Sequence, residues 1–243
     1  MPRWAVSGRL GLLRVWRDVV NPFGRIQIRR ASAQAIAKFR ACPWHFFDGV
    51  ADTEPNRLVW GDFAITRVMS SGLRSDLING ALARATAAGA DALLAAIPDD
   101  HDLICAETEN EEVYAYVDRL FQALDGYRFR RSRTAKVLCR KRPRCIPMLD
   151  DVVADFLLGV CHHWLQNPRQ APNWFAASWR SWSSRTVVTP YLRMIREDAR
   201  VHLSELEQIR AELAADRSTG VPGDAPLLRV WEAIVFWTLY PHM

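Results

Sequence analysis

The stretch RFRRSRTAKVLCRKRPRCIPMLD, residues 128–150, carries the strongest local signal in the sequence. Its only acid is the final Asp150, and it holds nine basic residues. Such a density favours binding to nucleic acid, with roughly six phosphate contacts and a steep dependence on salt. A charged, solvated helix face is an almost equally good interpretation. The basic residues are Arg128, Arg130, Arg131, Arg133, Lys136, Arg140, Lys141, Arg142 and Arg144, of which we expect the first seven to bind nucleic acid.

The apolar residues of the same stretch predict a helix with one buried face. They lie between Ala135 and Cys139, and Pro143 ends the helix because its ring excludes the next helical hydrogen bond. Residues 146–147, Ile-Pro, predict an extended step. Asp150 then stands where a carboxylate caps the following helix. The sequence therefore predicts a helix, a proline stop and a capped second helix in succession.

Composition places the chain among globular proteins. Of its 243 residues 49% are hydrophobic and 24% are charged, and ten tryptophans imply a substantial core. The formal net charge is +5, but nearly all the positive charge is arginine, a bias that a GC-rich genome also produces. Net charge is thus a weak argument for an anionic partner, and the clustering of the arginines is a better one.

The five cysteines are scattered rather than arranged as a disulfide framework, which favours a reducing compartment. No apolar run reaches the roughly 18 residues of a membrane-spanning helix. Arginines interrupt residues 1–24, so this basic extension lacks the core of a signal peptide. A packed or frayed segment is its ordinary interpretation, with a helix on a membrane surface as the alternative. We expect a cytoplasmic protein without membrane insertion.

Helical patterns account for most of the chain. They predict helices over residues 32–42, 62–69, 75–82, 90–97, 109–124, 150–165, 174–182, 189–215 and 227–239. Thr108 and Glu111 form a capping box for the fifth of these. Residues 25–28 alternate like a strand, so at most one short strand pair is expected. The predicted fold class is all-α, with the extension over 1–24 and a single multi-helix domain over 25–243.

Two smaller clusters hold residue types that bind metals. Residues 98–102 bring three carboxylates around His101, although adjacent acids in a turn are usually caps and solvated surface. Cys161, His162 and His163 are consecutive on a predicted helix, where neighbours point about 100° apart and at most two converge on one ion. Buried thiols and a helix-end histidine explain these residues more simply. We expect no metal site.

Common signatures of cofactor binding and hydrolysis are missing from the sequence. It contains no G-x-S-x-G, no P-loop, no G-x-G-x-x-G and no H-E-x-x-H motif. The four-cysteine spacing of an iron–sulfur cluster is missing from its C-terminus. We therefore expect no cofactor.

Residues 134–150, TAKVLCRKRPRCIPMLD, resemble the central motif of an uncharacterised bacterial family, domain of unknown function 6308. Residues 60–65, 93–98, 228–231 and 236–237 resemble further motifs of that family. The likeness runs from about Arg29 to the C-terminus, outside the basic extension. This resemblance implies a shared fold, but it confers no activity.

That family in turn resembles the helix-hairpin-helix DNA glycosylases. Thr134 and Ala135 are similar to the opening of a helix in their motif, and residues 147–153 are similar to the segment with the catalytic aspartate. The resemblance implies the helix-hairpin-helix DNA glycosylase fold and DNA as the partner. It makes Asp150 the candidate catalytic residue, which would stabilise an oxocarbenium-like sugar or activate water.

The sequence departs from the glycosylase pattern at two places. Of the hairpin glycines, which let backbone amides approach a phosphate, only Gly126 is present. Arg133 stands at the position of the lyase lysine, and an arginine stays protonated and cannot form a Schiff base. If the chain is an enzyme, a monofunctional DNA glycosylase is favoured over a lyase.

Three functional hypotheses follow from the sequence. The first is a nucleic-acid-binding protein with a degenerate helix-hairpin-helix segment, whose base-excision activity rests on Asp150. The second is a non-catalytic protein-interaction or structural protein that retains the fold, with some tryptophans on a partner surface. The third, a weaker one, is a small-molecule enzyme that pairs Asp150 with His162 or His163.

Overall fold

The computed structural model describes residues 54–69, 72–107, 109–126, 129–150 and 186–239, with isolated positions at 37, 39 and between 153 and 175. The extension over residues 1–24 and the predicted strand over 25–28 lie outside this part of the chain. Within it, the secondary structure is helical, and the β pairing consists of one isolated bridge between Gly126 and Phe129. The all-α class is confirmed for these residues.

The described ranges contain eight α-helices and one short 3₁₀ helix. In chain order they are α1 (Trp60–Ile65), the 3₁₀ helix (Thr66–Met69), α2 (Ser75–Ala87), α3 (Ala90–Ala95), α4 (Glu111–Leu124), α5 (Arg131–Lys141), α6 (Thr189–Val201), α7 (Leu203–Ala215) and α8 (Leu227–Leu239). Helix α4 packs against α2, α3, α5 and α6, while α7 packs against α8. The buried apolar side chains form a cluster that runs from Phe39 to Val235.

Helix α4 is central because its apolar residues recur at helical spacing and fill one face. Its buried residues are Val113, Tyr114, Val117, Leu120, Phe121, Ala123 and Leu124. The start of α4 differs from the sequence-based prediction. The Asn110 side chain accepts a hydrogen bond from the Val113 amide at 3.1 Å and caps the helix, so the helix begins at Glu111 rather than Glu109. Thr108 lies outside the described residues.

Two further helix boundaries correct the sequence-based expectations. The helix predicted to start at residue 62 begins at Trp60, so Asp62 lies in the first turn of α1, where its carboxylate accepts from the Val59 amide at 2.8 Å. The helix expected over residues 189–215 is divided into α6 and α7 at His202, whose φ and ψ of −113° and 23° are not helical. Hydrophobic periodicity continues across this one-residue break, so the pattern alone did not reveal it.

The N-terminus of α6 receives its cap from another helix. The Asp118 carboxylate of α4 accepts from the Val188 amide at 2.6 Å and from the Thr189 amide at 3.0 Å. The Thr189 hydroxyl donates to the same carboxylate at 2.8 Å. Burial raises the pKa of Asp118, and these hydrogen bonds oppose that rise. Asp118 therefore fixes α6 against α4 by satisfying amides that the helix leaves unpaired.

Arg142, directly after α5, is buried with 1% of its surface exposed. Its Nε donates to the Ile97 carbonyl at 2.9 Å, and its Nη2 donates to the Leu94 carbonyl at 2.5 Å. These carbonyls belong to the C-terminal end of α3, where a cation is also favoured by the helix dipole. The guanidinium further binds the Pro55 carbonyl, the Asn56 amide oxygen and the Asp99 carboxylate. Arg142 thus joins α3, α5 and the loop before α1.

Replacement of the Arg142 guanidinium should destabilise the fold severely. Arg142→Met keeps the apolar stem but leaves several buried carbonyls without a donor, so we expect a loss of about 3 kcal/mol or more in the free energy of unfolding. Urea denaturation followed by circular dichroism measures this change. Arg217→Met, at an exposed arginine, is the matched control and should stay within about 0.5 kcal/mol of the wild type. Equal effects of the two substitutions would contradict the structural role of Arg142.

Candidate nucleic-acid interface

Gly126 and Phe129 are paired between α4 and α5, and we call this bridged pair with its described neighbours the hairpin. The Gly126 amide donates to the Phe129 carbonyl at 3.1 Å, and the Phe129 amide donates back to the Gly126 carbonyl at 3.0 Å. The Phe129 ring is fully buried and packs against Phe63 with ring centroids 5.6 Å apart. The hairpin is therefore anchored to α1 on its inner side. Arg128, a predicted nucleic-acid-binding residue, lies outside the described residues.

Gly126 leaves room for the Arg84 side chain, which approaches it closely. A Cβ atom at Gly126 would lie 2.4 Å from the Arg84 Cζ, which is far inside van der Waals contact. The Arg84 Nη2 donates to the Leu124 carbonyl at 3.1 Å, so the guanidinium is fixed against the end of α4. The hairpin glycine thus admits a side chain of α2, a contact that the sequence analysis missed.

The N-terminal turn of α5 carries positive charge where helices usually carry acids. Arg130 is the exposed N-cap residue, Arg131 and Arg133 follow in the first turn, and that turn contains no acid. Cations at a helix N-terminus oppose the helix dipole, at a cost of about 0.3–1 kcal/mol each. This arrangement favours an anion near the start of α5, because an anion would interact with both the arginines and the backbone amides.

Arg131 is oriented by Tyr191 of α6. Its Nη1 donates to the Tyr191 hydroxyl at 2.6 Å, and its Cζ lies 4.6 Å from the centroid of the tyrosine ring. Arginine stacks on aromatic rings while its planar group keeps further donors for other partners. The tyrosine therefore restricts the guanidinium to one region beside the start of α5.

Arg133, Lys136 and Arg140 occupy one side of α5. Their spacing of three and four residues brings side chains together on a helix, and all three are half-buried. The opposite side is buried and consists of Thr134, Ala135, Val137, Leu138, Cys139 and Lys141. We call Arg130, Arg131, Arg133, Lys136 and Arg140 the outer basic group. It contains five of the seven residues expected to bind nucleic acid.

Lys141 does not belong to this surface, which corrects the sequence-based expectation. Its Nζ lies 3.0 Å from the Asp62 Oδ1, and both side chains are completely buried. The ammonium also donates to the Glu54 carbonyl at 2.9 Å. A buried ammonium paired with a carboxylate cannot reach a phosphate without breaking that pair, which is costly. With Arg142, Lys141 forms what we call the inner basic group.

Asp150 caps the next helix, as expected. Its Oδ1 accepts from the Val153 amide at 3.1 Å, and its carbonyl accepts from the Ala154 amide at 2.9 Å. Val153 and Ala154 are helical, and Asp150 itself is half-buried. The candidate catalytic carboxylate is therefore held in one orientation at the start of a helix.

A buried ion pair of α8 links the segment before Asp150 to α5. Arg229 Nη1 and Glu232 Oε2 lie 2.8 Å apart, with 2% of each side chain exposed. Glu232 Oε1 accepts from the Met148 amide at 2.5 Å, and Arg229 Nη2 donates to the Cys139 carbonyl at 3.1 Å. The pair thereby fixes the segment before Asp150 relative to the last turn of α5. The sequence did contain a signal for this pair, because Arg229 and Glu232 are opposite charges three residues apart in an otherwise apolar helix.

In the acidic turn over residues 98–102, which was considered as a metal site, Asp102 forms hydrogen bonds and an ion pair within the protein. Asp102 Oδ1 accepts from the Ile104 and Cys105 amides, both at 2.9 Å. Its Oδ2 lies 3.4 Å from Arg144 Nη1, and burial lowers the pKa of the neighbouring His101. In the part of the chain that the structure describes, no group of three His, Cys, Asp or Glu residues is arranged to hold a metal.

Cys161, from the second cluster considered as a metal site, is a core residue, and so are Cys139 and Cys145. Cys139, Cys145 and Cys161 are fully buried. Desolvation raises the pKa of Cys145 and of Cys161 to about 12, so both thiols stay protonated at neutral pH. His162 and His163 lie outside the described residues.

Asp198 is a buried carboxyl that the sequence analysis did not single out. Burial raises its pKa to about 7, and a hydrogen bond from the Trp231 indole at 2.7 Å acts in the opposite direction. This bond joins α6 to α8. The group belongs to a helix–helix contact rather than to the outer basic group.

Among the helices that the structure describes, none has the length and apolar character needed to cross a membrane. A family model described as "Family of unknown function (DUF6308)" matches residues 37–239. The chain belongs to this family. The matched residues include both basic groups, Asp150 and the Arg229–Glu232 pair, so all of these lie within the DUF6308 region. No curated protein and no solved structure matches the chain.

Proposed function

We propose that this protein binds duplex DNA through the outer basic group on α5. The observation that carries the proposal is five basic side chains, one exposed and four half-buried, along one helix whose sequence contains no acid. Arginine binds phosphate with several donors at once, and lysine adds a point charge. Because the rest of α5 is packed into the core, these side chains are presented by a rigid element.

The dimensions of α5 suit contact with a nucleic-acid backbone. From Arg130 to Arg140 the helix rises about 15 Å, at 1.5 Å per residue. One DNA strand carries a charge about every 3.4 Å along its axis, so this length corresponds to about four phosphates. The outer basic group therefore matches a short run of backbone phosphates. Contacts of this kind fix the position of a protein on DNA without reading its sequence.

We further propose that Asp150 is the catalytic residue of a monofunctional base-excision reaction on that DNA. The resemblance to helix-hairpin-helix DNA glycosylases supports this role, and so does the fixed position of the carboxylate after α5. A carboxylate at this place would stabilise positive charge on the sugar as the glycosidic bond breaks. Arg133 supplies no Schiff-base amine, so water would add to the sugar carbon, its proton would go to the departing base, and the reaction would end at base removal.

A second candidate function, a non-catalytic structural or interaction protein, is favoured by the inner basic group. Lys141 and Arg142 are explained entirely by their buried bonds to Asp62 and to the end of α3. The bond from the Val153 amide gives Asp150 a structural role as well. Under this alternative the outer basic group would be solvated surface, and substitutions there would change no binding.

The salt dependence of DNA binding tests the first proposal. For a fluorescently labelled mixed-sequence duplex, log affinity should fall with log salt concentration with a slope of about −4, given roughly 0.9 per phosphate contact. Arg130→Ala and Arg133→Ala should each weaken binding and reduce the slope by about 0.9, because each removes one phosphate contact. Fluorescence anisotropy over a salt series measures both quantities.

Arg217→Ala is the control for this experiment, since Arg217 is exposed and lies outside α5. It should leave affinity and slope unchanged. Polyglutamate, an anion without phosphate, should compete poorly with the duplex. A slope near zero for the wild-type protein would reject DNA binding, and so would equal effects of Arg130→Ala and Arg217→Ala.

Asp150→Asn separates the catalytic role from the structural role. Asparagine caps a helix about as well as aspartate, so the folded protein and its DNA affinity should be retained. Base release from a duplex that contains damaged bases should be abolished, because the amide carries no negative charge. Release is measured by alkaline cleavage of the abasic product. An Asn variant with wild-type turnover would exclude Asp150 as the catalytic residue.

A further inference from the structure

Two arginines that are far apart in the sequence, Arg84 and Arg130, lie at the hairpin. Arg84 reaches the hairpin from α2, and its Cζ lies 2.4 Å from where a Gly126 Cβ would be. Gly126 is bridged to Phe129, and Arg130 follows directly. With roughly 1.5 Å for a Cα–Cβ bond, about 5.5 Å across a bridged pair and about 3.8 Å to the next Cα, the Arg84 Cζ lies at most about 13 Å from the Arg130 Cα. The two arginines therefore flank one hairpin.

The bonding of Arg84 leaves most of its donors unused. A guanidinium has five N–H donors, and in Arg84 the Nη2 donates to the Leu124 carbonyl. Its Nε is buried and has no hydrogen-bond partner. Among the ion pairs between described residues, none involves Arg84. Among the described residues at the hairpin, the acidic one is Asp125, which is half-buried and precedes Gly126.

We propose that Arg84 and Arg130 together bind a backbone phosphate of DNA at the hairpin. This inference rests on the proposed function and extends the binding surface from α5 to α2. The missing Cβ at Gly126 lets the guanidinium lie against the hairpin, and the Leu124 carbonyl holds it there. A half-buried guanidinium without a carboxylate partner is a strong phosphate ligand, because its position is fixed before binding and its charge is only partly hydrated.

The experiment uses the full chain and the same labelled duplex over a salt series. Arg84→Met should weaken binding roughly fivefold and make the salt slope shallower, because one of the two cations that bind the shared phosphate is lost. Arg84→Lys, which keeps the charge, should restore the slope. Arg217→Met is the control at an exposed arginine and should change neither quantity.

Gly126→Ala provides a second variant that leaves every charge in place. The added Cβ must displace the Arg84 guanidinium, so affinity should fall as it does in Arg84→Met. Adding Arg84→Met to Gly126→Ala should then produce little further loss, since both changes remove the same contact. Unfolding in urea, measured in parallel, reports any structural effect separately.

The results distinguish this inference from the proposed function. A steep wild-type slope that Arg130→Ala reduces and Arg84→Met leaves unchanged would overturn only the role of Arg84. A lower unfolding free energy in Arg84→Met with unchanged affinity would do the same, because it would show a purely structural arginine. A wild-type slope near zero would overturn both proposals.

Discussion

The hydrogen bonds of the buried Arg142 guanidinium are the constraint on which the arrangement of α5 depends. They bind the carbonyls at the end of α3 and the loop before α1, while the adjacent Lys141 pairs with Asp62. Two neighbouring cations thus face the core at one end of α5. Because these bonds fix how α5 is turned about its axis, the outer basic group is directed away from the core.

The sequence predicted features that depend on local chemistry. The end of α5 before Pro143 and the cap at Asp150 follow from a proline and a carboxylate at suitable positions. The burial of the Lys141 side chain was not predicted, because the number of charges in a stretch does not show which side chains face the core. Periodicity did contain a signal, since Lys141 is seven residues after Thr134 and three after Leu138, both of which are buried.

Contacts between distant segments could not be predicted from a single sequence. Arg84 meets the hairpin only because α2 packs on α4, and Asp118 caps α6 only because those helices also meet. The Arg229–Glu232 pair binds Met148 and Cys139 in the same way. For the candidate site, the sequence thus identified the basic helix and Asp150, while the residues that orient them required the fold.

Membership in a family of unknown function identifies no activity for this protein. The central claim therefore concerns the different roles of the outer and inner basic groups. Arginine modification by phenylglyoxal, mapped by peptide mass spectrometry with and without duplex DNA, tests it most directly. The account predicts that Arg130 reacts in the free protein and is protected by DNA, while Arg142 reacts only after unfolding. An Arg142 that reacts as readily as Arg130 in the native protein, or an Arg130 that DNA fails to protect, would contradict it.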